Sequence, residues 1–240
     1  MASVPADRQS HHAAHPPAHQ AAHHPALQHH FDNLEQQKES ATFGMWLFLV
    51  TEVLFFGGLF LAYLVYRTQY SAAFVAGSHH LDVKLGVINT GVLIGSSLTM
   101  AMGVWAAQVN RRKATVVFLL LTILLGGVFL GIKGVEYSHK FHDNLVPGPH
   151  FTTDQSVFPG VNLRHVEIFY SLYFIMTGLH ATHMVVGIGI LAVLAVFAWR
   201  GKYSSAYYNP VECTGLYWHF VDIVWIFLFP LLYLLGAHAR

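Results

Sequence analysis

Residues 166–199 read VEIFYSLYFIMTGLHATHMVVGIGILAVLAVFAW. The run holds one acid, Glu167, and no lysine or arginine. At about 1.5 Å per helical residue it is ~50 Å long, well beyond the ~30 Å of a bilayer core. It has to tilt within a membrane or project into water. Backbone amides in lipid must be paired within their own segment, so the run is a helix and not a strand. Reading outward, four more apolar runs appear: Phe43–Tyr66, closed by Arg67, then Leu85–Ala107, Thr115–Ile132 and Leu216–Leu235. The sequence therefore predicts an all-α polytopic membrane protein, a bundle of five transmembrane helices within residues 41–240.

Composition agrees. Of 240 residues, 54% are hydrophobic and 10% charged, against about a quarter charged in a soluble domain. A net charge of +1 points to no nucleic-acid partner. The single cysteine, Cys213, excludes an internal disulfide framework and a cysteine-cluster metal site.

Residues 1–40 form a separate region. From Ser10 to His30 the chain is mostly His, Ala, Pro and Gln, too poor in apolar side chains to pack a core, so a disordered cytoplasmic tail is expected. His11, His12, His15, His19, His23, His24, His29 and His30 could chelate a metal weakly, and a solvated tail is the simpler reading. The region offers no apolar segment for a cleavable signal, so insertion is expected to start from the first span.

Asn110-Arg111-Arg112-Lys113 and Arg200-Gly201-Lys202 are the basic short connections. The positive-inside rule places them, and with them the N-terminus, in the cytoplasm. Arg67, Lys84, Lys133, Lys140 and Arg164 then lie outside. The loop from Gly134 to Arg164 carries Pro147-Gly148-Pro149 and Pro159-Gly160, which favour turns. It is expected to be ordered by contact with a partner. No internal repeat marks an inverted-repeat transporter.

Ionisable groups within the spans are expensive and need a reason. Glu52 lies about nine residues into the first span. It reads as a proton-handling group or as a carboxyl hydrogen-bonded across helices. His180 and His183, three apart, share one face of the fourth span. They could hold a metal, but glutamates at the offsets of a di-iron site are missing and Glu167 lies some 20 Å away, so interhelical hydrogen bonding is the better reading. His219 and Asp222 share a face of the fifth span. A haem between His183 and His219 would need matched depths, which the sequence does not suggest. Glu136 and His139 follow span three, and Arg164, His165 and Glu167 precede span four. They could pair with one another, hold lipid head groups or partner loops, or be merely solvated. No metal constellation emerges.

Several stretches, taken in order, resemble subunit III of the haem-copper respiratory oxidases. They are Thr51-Glu52-Val53-Leu54-Phe55-Phe56-Gly57-Gly58-Leu59-Phe60, then Asn89-Thr90 with Gly95-Ser96-Ser97-Leu98-Thr99. Leu124-Leu125-Gly126 through Phe129-Leu130 to Glu136-Tyr137 follows, then Thr177-Gly178-Leu179-His180-Ala181-Thr182-His183. The most specific is Tyr217-Trp218-His219-Phe220-Val221-Asp222-Ile223-Val224-Trp225. The resemblance covers about residues 43–236 and is to the shorter, five-span bacterial form. Longer members have seven spans and hold lipids in a cleft beside their first two helices, so here another subunit is expected to supply that wall, or the lipid site is only partly formed.

The resemblance implies an accessory subunit with no redox centre or cofactor of its own. Haem and copper then belong to partner subunits I and II, and bound phospholipid is possible. It implies packing on subunit I, support of proton uptake, and a place in the bacterial inner membrane. Glu52 is the expected proton-related residue; His180, His183, His219, Asp222, Glu136 and Arg164 are expected at lipid or interface positions. Cytochrome c is the expected electron donor to the complex; quinol is the nearest alternative. A subunit accompanying nitric oxide reductase, or a stand-alone transporter or proton channel, are further alternatives. The last predicts a broken helix at mid-span, yet Pro230 is the only proline within any span.

Overall fold

The computed structural model describes residues 27–28, 30–149, 151, 154–205 and 207–234. Residues 1–26 and His29, which hold most of the histidine-rich tail, lie outside the described residues, so the chelation reading does too. The helices are α1 (Leu34–Gln69), α2 (Ser71–His79), α3 (Val83–Gln108), α4 (Arg112–His142), α5 (Leu163–Trp199) and α6 (Asn209–Phe229), the last continued by a π-helical turn over Pro230–Leu234. Five are long and apolar enough to cross a membrane: α1, α3, α4, α5, and α6 with its π turn. Among the described residues there is no strand.

Local chemistry sets the ends. Asn33, Asp82 and Asn162 cap α1, α3 and α5 by accepting backbone N–H groups of Gln36, of Lys84 and Leu85, and of Arg164. Asn110, at φ 57°, turns α3 into α4 within three residues, so these two helices lie side by side. Proline lacks the N–H that would bond four residues back and its ring crowds that carbonyl. At Pro230 α6 accordingly widens into the π turn. The Tyr63 hydroxyl of α1 donates to the Leu231 carbonyl of that turn at 2.7 Å.

Trp218 of α6 fills the middle of the bundle. Its indole N–H donates to Ser96 Oγ on α3 at 3.0 Å. Its ring lies against Gly126 of α4 and Gly187 of α5; a Cβ at either position would come within 2.9 Å of it. Small residues thus admit one large aromatic that ties four helices together. By contrast α1 packs mainly on α6 and α5. Its buried residues are Leu49, Phe56 and Tyr63, a seven-residue seam of coiled-coil type. Its other faces expose Trp46, Leu54 and Leu61, suited to lipid or another chain.

Two expectations are corrected and one element is new. The helix of the first span starts at Leu34, inside the stretch expected to be tail, because Asn33 caps it and Lys38 reaches Tyr208 (3.0 Å) and Glu212 (3.5 Å) on α6. The Gly134–Arg164 segment is not ordered by a partner alone. Its first part is helix to His142, and Leu145, Phe151 and Phe158 are buried in the chain's own core; the apolar residues outweigh the turn formers. The short helix α2 packs beneath α5 and has no counterpart in the span pattern.

Candidate functional site at the Glu52–His183 pair

The seam of α1 decides where Glu52 points. Glu52 lies three residues after Leu49 and four before Phe56, on the same helical stripe. It therefore faces α5 and α6, where its Oε2 lies 3.2 Å from His183 Nε2. Glu52 is about as far from the start of α1 as His183 is from the end of α5, roughly 24–27 Å at 1.5 Å per residue. The pair sits near the middle of both membrane-crossing helices.

The other ring nitrogen sets the tautomer. His183 Nδ1 lies 2.8 Å from the Leu179 carbonyl, which only accepts, so Nδ1 carries a hydrogen. Nε2 then either accepts from a protonated Glu52 or, as imidazolium, donates to its carboxylate. Both arrangements hold one shared proton and no net charge, which lowers the cost of placing the pair in an apolar slab. Gain of a second proton, or loss of the shared one, would charge it. The ring is positioned by Phe56, edge-on at 5.3 Å, and by Tyr217, stacked at 6.4 Å, whose hydroxyl donates to the His183 carbonyl at 2.9 Å. The side chains of Glu52 and His183 are 17% and 18% exposed, enough to open onto a groove of about 420 Å³ lined by Met45, Phe48, Thr182, Val186, Ile190 and Tyr217.

The remaining expected site residues fall into three places. His180 does not join His183. It is enclosed, edge-on to Phe129 at 5.3 Å and 5.2 Å from Trp225, and its ring nitrogens have no hydrogen-bond partner among the described residues. The expectation for it is a lipid or interface position; the rotation of about 60° that three residues make along α5 turns it instead into the chain's own core. His219 bonds Ser97 Oγ through Nδ1 at 2.7 Å and, with Asp222, lines a second groove between α3 and α6. His183 and His219 thus serve different grooves and do not face each other as a ligand pair. Arg164 is exposed at the start of α5, held by its own helix cap.

Glu136 departs furthest from expectation. It is buried, and its partners are Lys133 (Nζ to Oε2, 2.9 Å), Tyr173 (2.9 Å to Oε1) and Tyr233, which also donates to Oε1. Lys133 additionally donates to Tyr233 at 2.7 Å. Neither Arg164 nor a lipid is needed to satisfy it, which corrects the reading of Glu136 as a surface position. Lys133 and Lys140, read as outer-end charges, are buried too, Lys140 donating to the His80 carbonyl. The i, i+3 spacing of Lys133 and Glu136 was the signal that could have paired them. Nothing local indicated Tyr173 or Tyr233. Among the described residues no group of three or more metal-ligating side chains converges.

Comparison with known proteins completes the picture. The family model described as cytochrome c oxidase subunit III matches residues 26–237. Cytochrome c oxidase subunit 3 of Synechocystis is 38% identical over 80% of this chain and 75% of its own length. The protein of the same name from Corynebacterium diphtheriae is 34% identical over 79% and 85%. Quinol oxidase subunit 3 of Bacillus spizizenii is 30% identical over 85% and 92%. Five membrane-crossing helices, a matching family model and these relatives together mean that the chain belongs to the subunit III family of the haem-copper oxidases, multi-subunit oxidoreductases of the respiratory chain.

Proposed function

We propose that this chain is the accessory, non-redox subunit III of a proton-pumping terminal oxidase in a bacterial inner membrane. It packs on subunit I beside subunit II, and these carry the haem and copper; this chain binds neither and contributes no catalytic redox centre. Phospholipid occupies the apolar groove beside Glu52. Cytochrome c is the electron donor to the complex. Quinol is a second reading, favoured by relatives named quinol oxidase subunit 3. The N-terminus is cytoplasmic, because Arg111, Arg112, Lys113, Arg200 and Lys202 lie at the same end of the bundle as the start of α1.

The observation that carries the proposal is the Glu52–His183 pair. It is an acid–base pair within hydrogen-bond distance, midway along two membrane-crossing helices, open to a groove and held by three helices. Such a unit supports proton uptake and turnover of the complex without performing redox chemistry. Glu52→Gln keeps the shape and a hydrogen bond to His183 but removes the shared acid proton. In the purified complex it is expected to slow proton uptake and hasten loss of activity during turnover, with haem absorption unchanged. Uptake and turnover lifetime equal to the parent complex would refute the proton role. Failure of a tagged chain to bring down haem-bearing subunits would refute the assembly.

A further inference from the structure

The groove between α3 and α6 contains an unfinished hydrogen-bonding site. Asp222 is 3% exposed, and neither of its carboxyl oxygens has a partner among the described residues. The carboxyl lines a groove of about 460 Å³ with Ser97, His219, Ile94, Leu98 and Ile226. Ser97 is already engaged by His219 Nδ1. A buried carboxyl among apolar side chains demands donors or a cation, and the one hydroxyl α3 brings beside it, Ser97, is shared with His219 and can satisfy at most one of its lone pairs.

Depth and shape select the occupant. Asp222 lies 13 residues after Asn209 and 12 before Leu234, so about 18–20 Å of helix separates it from either end of this membrane-crossing helix. Lipid head groups stay at the faces, and acyl chains carry no donors. Within the groove α3 presents Ser97 and Ala101, two small side chains beside the carboxyl. Small residues beside a polar group let a second backbone approach closely enough to complete a side-chain hydrogen bond.

We propose that the α3–α6 groove docks a transmembrane helix of another oxidase subunit, one that presents a side-chain hydrogen-bond donor to Asp222 at mid-membrane depth. The proposal rests on the assembly reading above. It assigns the face of the bundle that meets the partner and leaves the Glu52 groove, on the α1 side, to lipid.

The test uses the intact complex. A photoreactive benzophenone amino acid is placed singly at Ile94, Ile226 and, on the outer face of α1, Leu54, and cross-linked peptides are identified by mass spectrometry. Ile94 and Ile226 are expected to reach one and the same helix of another oxidase subunit, and Leu54 is not. Asp222→Leu is expected to lower retention of the chain through detergent washing at least tenfold, and Asp222→Asn, which still accepts a hydrogen bond, much less. Cross-links from Ile94 and Ile226 to phospholipid alone, or to a second copy of this chain, would overturn the proposal, as would full retention of Asp222→Leu. Should that variant not fold, the cross-links decide. A tagged chain that brings down no oxidase subunit overturns the assembly reading itself; a chain that brings them down yet cross-links only through Leu54 overturns this inference alone.

Discussion

Glu136→Ala leaves the Lys133 ammonium buried at the heart of the bundle with no counter-ion. Both side chains are about 5% exposed. Breaking a buried pair by removing one partner costs about 3–5 kcal/mol, because the surviving charge stays desolvated. Tyr173 and Tyr233 also lose their acceptor; each neutral hydrogen bond is worth about 1 kcal/mol, part of which is already counted in the first figure. Lys133→Met with Glu136→Leu removes both charges and fills a similar volume, so it is expected within about 1–2 kcal/mol of the parent. The assay is denaturation of the purified chain in mixed micelles by increasing SDS, followed by tryptophan fluorescence, since Trp218 and Trp225 are buried. The single variant is expected to lower the folded-to-unfolded ratio by roughly 150-fold or more, equivalent to about 3 kcal/mol. A loss below about 1 kcal/mol for Glu136→Ala, or a double variant as unstable as the single, would refute the view that the four side chains form one satisfied unit.

Other outcomes follow from the same geometry. Gly187→Val drives a side chain into the Trp218 ring and is expected to cost about 1–3 kcal/mol by overpacking, read in the same denaturation assay. Tyr63→Phe removes the hydroxyl that satisfies the Leu231 carbonyl; a loss of about 1 kcal/mol is expected, with faster hydrogen exchange in the Pro230–Leu234 turn. Lys38→Ala breaks a pair whose side chains are 44% and 33% exposed, so a change under about 1 kcal/mol is expected.

The fold was legible because lipid simplifies the problem. Long apolar runs can only be helices, and all five were visible without any tertiary information. Their ends were less legible. The third span, α4, continues ten residues past Ile132 because Lys133, Glu136 and Lys140 are buried by partners from elsewhere in the chain, and hydropathy reads those charges as an exit from the membrane. α2 was missed for the opposite reason: nine mostly small and apolar residues carry no periodic pattern long enough to stand out.

At the site, residue types were legible and pairings were not. Glu52 stood out as an acid in lipid, and His183 as one of two histidines on one turn. That they meet depends on the seam of Leu49, Phe56 and Tyr63 docking α1 on α5 and α6, a contact between residues 131 positions apart. His180 and His183 share a helix face, but a small rotation between them separates core from groove. His219 and Asp222 were rightly placed together, and Ser97, their neighbour from α3, was hidden by the same long-range dependence.

The most direct test of the central claim is modification of carboxyl groups by a hydrophobic carbodiimide in the intact, folded complex, mapped by mass spectrometry. The reagent partitions into lipid and reacts with a protonated carboxyl. The account predicts that Glu52, which shares a proton with His183 and opens onto the apolar groove, is modified, and that Glu136, enclosed and ion-paired with Lys133, is not. An unmodified Glu52, or equal modification of Glu52 and Glu136, would contradict it.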